Sequence, residues 1–261
     1  MLFMNRLEEI KLSYISNRCT QRVATDLLKN LKSKNPAVIK EIVLSLNQLY
    51  FDGLIEGDYS AEPELEQFGL DKLIEAGILT IGSFYDGSLE GRLDEARDII
   101  FSAERNIKDY SSKERAKRRH LRGFEDDILN WGKELSKNEL DINLIVPVAS
   151  DGFEPAFLAA SLRGLNPEEI IPLRFSRLSK GDSEAKKPKN FQYWDERLKG
   201  KKILITEGFS MDFHSIVKVR DYVKLQEPES ITLSAVLPYK LNGFLPENEL
   251  ISNRVTIAYR K

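Results

Sequence analysis

The stretch that decides the fold is Lys201-Lys-Ile-Leu-Ile-Thr-Glu-Gly-Phe-Ser-Met-Asp-Phe-His-Ser215. Two lysines lead into Ile203-Leu-Ile-Thr206, an apolar run of the kind that forms strands buried on both faces. Small and polar residues follow (Glu207, Gly208, Ser210 and Asp212), and a helical run is predicted from about Ser215 to Val223. A strand that ends in a Gly-containing turn at a helix N-terminus is where α/β proteins receive phosphate groups. Backbone N–H groups point outward there, and the helix dipole favours an anion.

Working outward, short apolar runs recur at Ile142–Val148, Ile170–Phe175 and Ile231–Leu237, with a last β-rich stretch at Val255–Tyr259. Helical patterns lie between them: Phe124, Ile128 and Trp131 before the first run, and Ala156, Phe157, Ala159, Ala160 and Leu162 after it. Alternating strands and helices imply a mostly parallel sheet. Ile142–Val148 and Lys202–Thr206 are expected to be neighbouring central strands whose C-terminal ends face one cleft. Trp131 and Trp194 read as packing residues.

The chain up to about residue 110 reads as helical. Asn35 then Pro36 is an N-cap followed by proline at the first helical position. Val38, Ile39, Ile42, Val43, Leu46, Leu49 and Tyr50 recur at 3.6-residue spacing after it. Val23, Leu27, Leu28 and Leu31 make a similar stripe, as do Leu65, Phe68, Leu73 and Ile74, and then Leu93, Ala96, Ile99, Ile100, Ala103 and Ile107. Polar turns are expected at residues 52–62 and 82–91. The fold class is therefore α/β, with a helical region over 1–111 and an α/β domain over 112–261. The charged stretch Ser111–Arg122 is either a linker or the polar face of a helix running on to Trp131.

Composition narrows the function classes. A net charge of −2 argues against nucleic acid or an anionic membrane surface as the main partner. Cys19 is the single cysteine, so no disulfide framework and no cysteine-based zinc site is expected. Met1-Leu-Phe-Met-Asn-Arg-Leu-Glu-Glu brings in charges before a signal-peptide core could form, and no apolar run has the ~18–20 residues that span a bilayer. A cytoplasmic protein is expected.

Two strand-end loops carry the chemistry. The first is Ile145-Val-Pro-Val-Ala-Ser-Asp-Gly-Phe-Glu-Pro-Ala156, and the second is the Thr206–Ser215 turn. Between them lies a long basic loop, Arg174-Phe-Ser-Arg-Leu-Ser-Lys-Gly-Asp-Ser-Glu-Ala-Lys-Lys-Pro-Lys189, without apolar periodicity. Little buried area is available over residues 177–190 to offset the entropy of ordering, so that loop is expected to be mobile without ligand.

Over roughly residues 112–261, the order and spacing of these parts resemble the type I phosphoribosyltransferases, which use phosphoribosyl diphosphate (PRPP). The resemblance implies that Ala149, Ser150, Asp151, Gly152 and Phe153 hold pyrophosphate. It implies that Glu207 holds ribose hydroxyls and that Gly208, Phe209, Ser210, Met211, Asp212, Phe213, His214 and Ser215 wrap the 5′-phosphate. Arg177, Lys180, Lys186 and Lys187 would close over the pyrophosphate, with Mg²⁺ held by Glu207, Asp212 and substrate phosphates. The implied partner is a phosphoribosyl or nucleotide small molecule. The implied reaction is transfer of phosphoribosyl to or from a nitrogenous base, and a homodimer is left open.

The family's PRPP loop has two acidic residues and later Thr-Gly. Here the first pair is Glu207-Gly208, leaving one carboxylate, and the second is Asp212-Phe213, with only Ser215 keeping a hydroxyl near the helix start. An alternative of a different class is therefore a catalytically silent relative that senses a nucleotide or serves as an interaction module. Gly208-Phe-Ser-Met-Asp212 also approaches the nucleophile elbow of α/β-hydrolases. Asp212 stands at its last glycine position, however, and His120 and His214, the two histidines, are not placed well downstream of Ser210.

Overall fold

The computed structural model describes residues 21–56, 62–107, 125–149, 151–175, 184–210, 213–238 and 250–252. The chain divides into two compact units, one formed by Met1–Arg118 with Pro188–Asn190 and the other by Arg119–Lys187 with Phe191–Lys261.

The first unit is helical: α1 (Gln21–Asn30), α2 (Pro36–Glu56), α3 (Pro63–Asp86), α4 (Leu89–Ser102) and the short α5 (Glu104–Ile107). The predicted cap of α2 is present, with Asn35 Oδ1 accepting the N–H of Ala37 at 3.0 Å. α2 is buried along most of its length, including Leu44, Phe51 and Leu54 outside the predicted stripe, so it is the central helix of the unit. α2 packs on α3, where Asn47 Nδ2 donates to the carbonyl of Leu73 at 2.9 Å.

Two expectations need correction here. Leu73 and Ile74 are buried, but Leu65 and Phe68 are 49% and 42% exposed. The inward positions one turn earlier are Glu66 and Gly69 instead. A Cβ on Gly69 would stand 2.4 Å from the Tyr50 hydroxyl, and that hydroxyl donates to the carbonyl of Glu66 at 3.0 Å. A close helix approach plus one polar bond fixes the face of α3, and hydrophobic spacing alone misses it. The turn expected over 82–91 is also much shorter. α3 runs through Gly82 to Asp86 and stops at Gly87, whose φ is 82°.

The second unit contains α6 (Glu125–Lys137), β1 (Leu144–Ala149), α7 (Phe153–Arg163), β2 (Leu173–Arg174), α8 (Trp194–Leu198), β3 (Lys202–Ser210), α9 (His214–Lys224), β4 (Ser230–Pro238) and β5 (Leu250–Ser252). The five strands are all parallel, in the order β2-β1-β3-β4-β5. β1 and β3 are neighbours, with Leu144 beside Ile203 and Pro147 beside Thr206, as the two apolar runs imply. The run Val255–Tyr259 lies outside the described residues.

Parallel strands need crossovers, which are right-handed. β1 crosses through α7 toward one edge of the sheet, and β3 crosses through α9 toward the other, so the two helices cover opposite faces. α6 joins α7, and its Trp131 indole N–H donates to Ser234 Oγ on β4 at 2.6 Å. α8 joins α9, and Tyr222 donates its hydroxyl proton to Asp195 at 2.6 Å. Both tryptophans are fully buried.

One boundary moved in a way that matters. Glu207 to Ser210 were expected in a turn, but β3 continues through them, because β4 runs alongside with Glu207 beside Ala235, Phe209 beside Leu237 and Ser210 beside Pro238. Ladder hydrogen bonds to a neighbour of equal length override the turn character of Gly208.

Candidate phosphate site at the sheet switch point

In a doubly wound sheet of order 2-1-3-4-5, the crevice for ligands opens at the C-terminal ends of strands 1 and 3, where the crossovers diverge. Both sequence-selected loops are there. Ala149, Asp151, Gly152 and Phe153 leave β1, and Phe213, His214 and Ser215 follow β3. Ser150, Met211 and Asp212 lie outside the described residues, as do Arg177 and Lys180.

The β1–α7 turn is folded inward. The Gly152 N–H donates to the carbonyl of Val148 at 3.0 Å, and the Gly152 carbonyl accepts from Thr206 Oγ1 at 3.1 Å. A Cβ on Gly152 would lie 2.5 Å from the Thr206 carbonyl oxygen, 2.6 Å from the Val148 carbonyl oxygen and 2.7 Å from the Val148 nitrogen. All three are backbone atoms, so only glycine lets α7 start this close to the two strands. The first helical residues are Phe153, Glu154 and Pro155, all buried. Phe153 stacks on Phe157 with ring centroids 5.6 Å apart, and Pro155 has no N–H to offer.

The β3–α9 turn is built differently. Phe213, the residue before the first turn of α9, has φ 58° and ψ 6°, which is left-handed backbone. For a residue with a bulky side chain this costs ~1–2 kcal/mol. The ring is only 3% exposed, and burying a phenylalanine is worth ~1.5–3 kcal/mol, so the burial offsets the strain. The Phe213 side chain makes no cap hydrogen bond, and the first turn of α9 holds no acidic residue. His214, Ser215 and Ile216 all carry backbone N–H groups at the positive end of the helix dipole. The His214 ring meets Phe175, just past β2, with centroids 5.3 Å apart. Since β1 separates β2 from β3, these segments lean toward each other over the end of β1.

The charges at this edge are mixed. Glu207 is buried where β3 passes the end of β1, and Arg174 is buried beside Ala149 in the β1–β2 register. Among the described residues no cluster of three or more His, Cys, Asp or Glu is arranged to hold a metal ion.

Residues 176–183 of the basic loop lie outside the described residues; its C-terminal part is described from residue 184. Lys186 exchanges two backbone hydrogen bonds with Arg174, at 2.9 and 2.7 Å, extending the sheet edge with an antiparallel bridge. Lys187 is paired with Asp195, its side chain only 10% exposed, and the other Asp195 oxygen accepts the Tyr222 hydroxyl. Tyr222 lies eight residues into α9 from His214, about 12 Å along the axis at ~1.5 Å per residue. Lys187 is thus held beside the far end of α9, away from the turn at Phe213. This anchor, and the closure at Gly152, are the parts that sequence reasoning missed. Both depend on tertiary neighbours, although Asp195 four residues after Asn-Phe in a charged helix start was a weak signal.

No protein-family profile matches this chain. No curated protein matches it either. Among solved structures, a hypothetical protein from Neisseria gonorrhoeae with bound ppGpp is similar at 17% identity and a TM-score of 0.38, over 52% of this chain and 82% of its own. Among the described residues, no helix is long and apolar enough to cross a membrane.

Proposed function

We propose that the second unit binds a phosphoribosyl compound, PRPP or a nucleoside monophosphate, with its 5′-phosphate at the first turn of α9. The observation that carries this reading is the left-handed Phe213 leading, at the switch point of the sheet, into a helix whose first turn holds no acidic residue. Ser215 adds a hydroxyl in that turn, and Glu207 stands one strand-end away, suited to ribose hydroxyls. A Mg²⁺ shared by Glu207, Asp212 and substrate phosphates would supply charge neutralisation. Transfer of the phosphoribosyl group to or from a nitrogenous base is the reaction the same arrangement suggests if the site is catalytic.

Titration calorimetry with ribose 5-phosphate, a panel of nucleoside monophosphates and PRPP with Mg²⁺, at fixed salt, tests the reading. Binding that Ser215→Glu abolishes is the expected result. No heat with any of these ligands would leave the second reading, a silent interaction module, which the single carboxylate at Glu207-Gly208 favours.

A further inference from the structure

We infer that residues 184–187 form a latched strap that keeps Arg174 from water, and that Lys187, Asp195 and Tyr222 are its latch. This stands apart from the α9 phosphate reading and survives its failure. Arg174 ends β2, the edge strand on its side of the sheet, and pairs inward with Ala149. Its outward side is taken by Lys186, through the two backbone hydrogen bonds of the antiparallel bridge. Arg174 is only 5% exposed, and an arginine so buried on an edge strand needs a cover.

The bridge alone is a poor fastening. Residues directly opposite in an antiparallel pair send their side chains to the same face, so Arg174 and Lys186 set two positive charges side by side, and these repel. Apolar burial offsets little of this, because Ala185 is the one apolar side chain over 184–187. Lys187 supplies the second pin. Its ammonium group pairs with Asp195 and donates to the carbonyl of Gln192 at 3.5 Å. Tyr222 donates to the other Asp195 oxygen at 2.6 Å and so fixes the carboxylate, while its ring centroid lies 5.9 Å from the ammonium nitrogen. The Lys187 side chain is 10% exposed, so without Asp195 it is a stranded charge that must move out to water, lifting the strap. A lifted strap adds the Arg174 guanidinium to the C-terminal strand ends, where α/β sheets meet their ligands. The latch thus controls one cation at this edge of the sheet.

The test follows the rate at which phenylglyoxal, a reagent for water-exposed guanidinium groups, modifies Arg174 in the full chain, read by peptide mass spectrometry. Arg92 of α4, whose side chain is 44% exposed, is the reference. In the native chain Arg174 is expected to react at least about tenfold more slowly than Arg92, and equal rates would mean that nothing covers it. Asp195→Asn is expected to raise the Arg174 rate at least about tenfold and leave Arg92 unchanged. Adding Lys187→Met removes the stranded charge together with its partner, and the rate is expected to return to within about threefold of native. A folded Asp195→Asn chain with the native Arg174 rate overturns the inference, and so does a double variant that reacts as fast as the single one. Tyr222→Phe loses one hydrogen bond and carries the test should Asp195→Asn fail to fold. Its expected rise is about threefold, and a rate equal to native again overturns the latch.

Discussion

The turn after β1 and the turn after β3 occupy equivalent places, at the ends of adjacent parallel strands, and each opens an eleven-residue helix. The first spends its glycine on close approach, bonds the Gly152 and Ala156 N–H groups within the protein, and has a proline and Glu154 in its first turn. The second accepts a strained phenylalanine and starts its helix with no acidic residue in the first turn. The same local topology thus yields one turn closed tightly on the strands and one that opens its helix through a left-handed residue. Topology selects where a ligand can bind, and the donor inventory of each turn decides whether it does.

Substitution at the joint should have the largest effect. Gly152→Ala puts a methyl within 2.7 Å of three backbone atoms, and over-packing against backbone that cannot yield is expected to cost about 3 kcal/mol. A urea midpoint close to that of the native chain would mean the joint is loose. Next is Phe213. Replacing it with Ala removes a buried ring and keeps the left-handed backbone, at a loss of about 3 kcal/mol. Replacing it with Gly removes the same ring and relieves the strain. Phe213→Gly should therefore be the more stable variant by about 1 kcal/mol, and the reverse order in chemical denaturation would mean that the backbone at 213 relaxes away from φ 58°.

A third substitution separates stability from binding. Ser215→Glu supplies the missing acid in the first turn of α9, so the melting point should rise slightly, by about 0.5 kcal/mol in stability. Phosphate-monoester affinity should fall at least about tenfold from like-charge repulsion. Affinity that survives would move the anion to another place. The smallest effect is at the anchored end of α9. Burial, and then the hydrogen bond to Asp195, push the Tyr222 hydroxyl above the ordinary phenol range. A raised pKa in the fold means that the neutral form is favoured there. The contribution is complete below the unfolded value near 10 and is lost as pH rises beyond it. Native chain and Tyr222→Phe should thus converge in stability above about pH 10, and a gap that is independent of pH would show that the phenol proton is not what Asp195 holds.

The sheet was legible because strands covered on both faces tend to be apolar throughout, which singles out Ile145-Val-Pro-Val148 and Ile203-Leu-Ile205, while Ile231–Val236 reads as a strand by alternating Thr232 and Ser234 with apolar neighbours. Asn35-Pro36 announced its helix by local chemistry alone. The face of α3 was not legible, since Glu66 faces inward through Tyr50, sixteen residues earlier in the chain. The length of β3 was hidden for a similar reason, as Glu207-Gly208 reads as a turn until β4 is known to run beside it. At the candidate site, Phe213 was visible as a poor fit for positive φ. That it adopts positive φ all the same depends on burial of its ring, which no local window contains. The closure at Gly152 depends on the Thr206 hydroxyl, fifty-four residues away, which donates to its carbonyl.

The indoles give the chain a built-in optical label. Trp131 and Trp194 are its two tryptophans, both fall in the second unit, and both are screened from water. Emission excited selectively at tryptophan therefore follows the sheet unit alone, and a red shift on heating or in denaturant dates the moment that unit opens. Far-ultraviolet ellipticity is weighted by the helices of both units. Recording the two signals on one sample separates the unfolding of one unit from that of the other without cutting the chain.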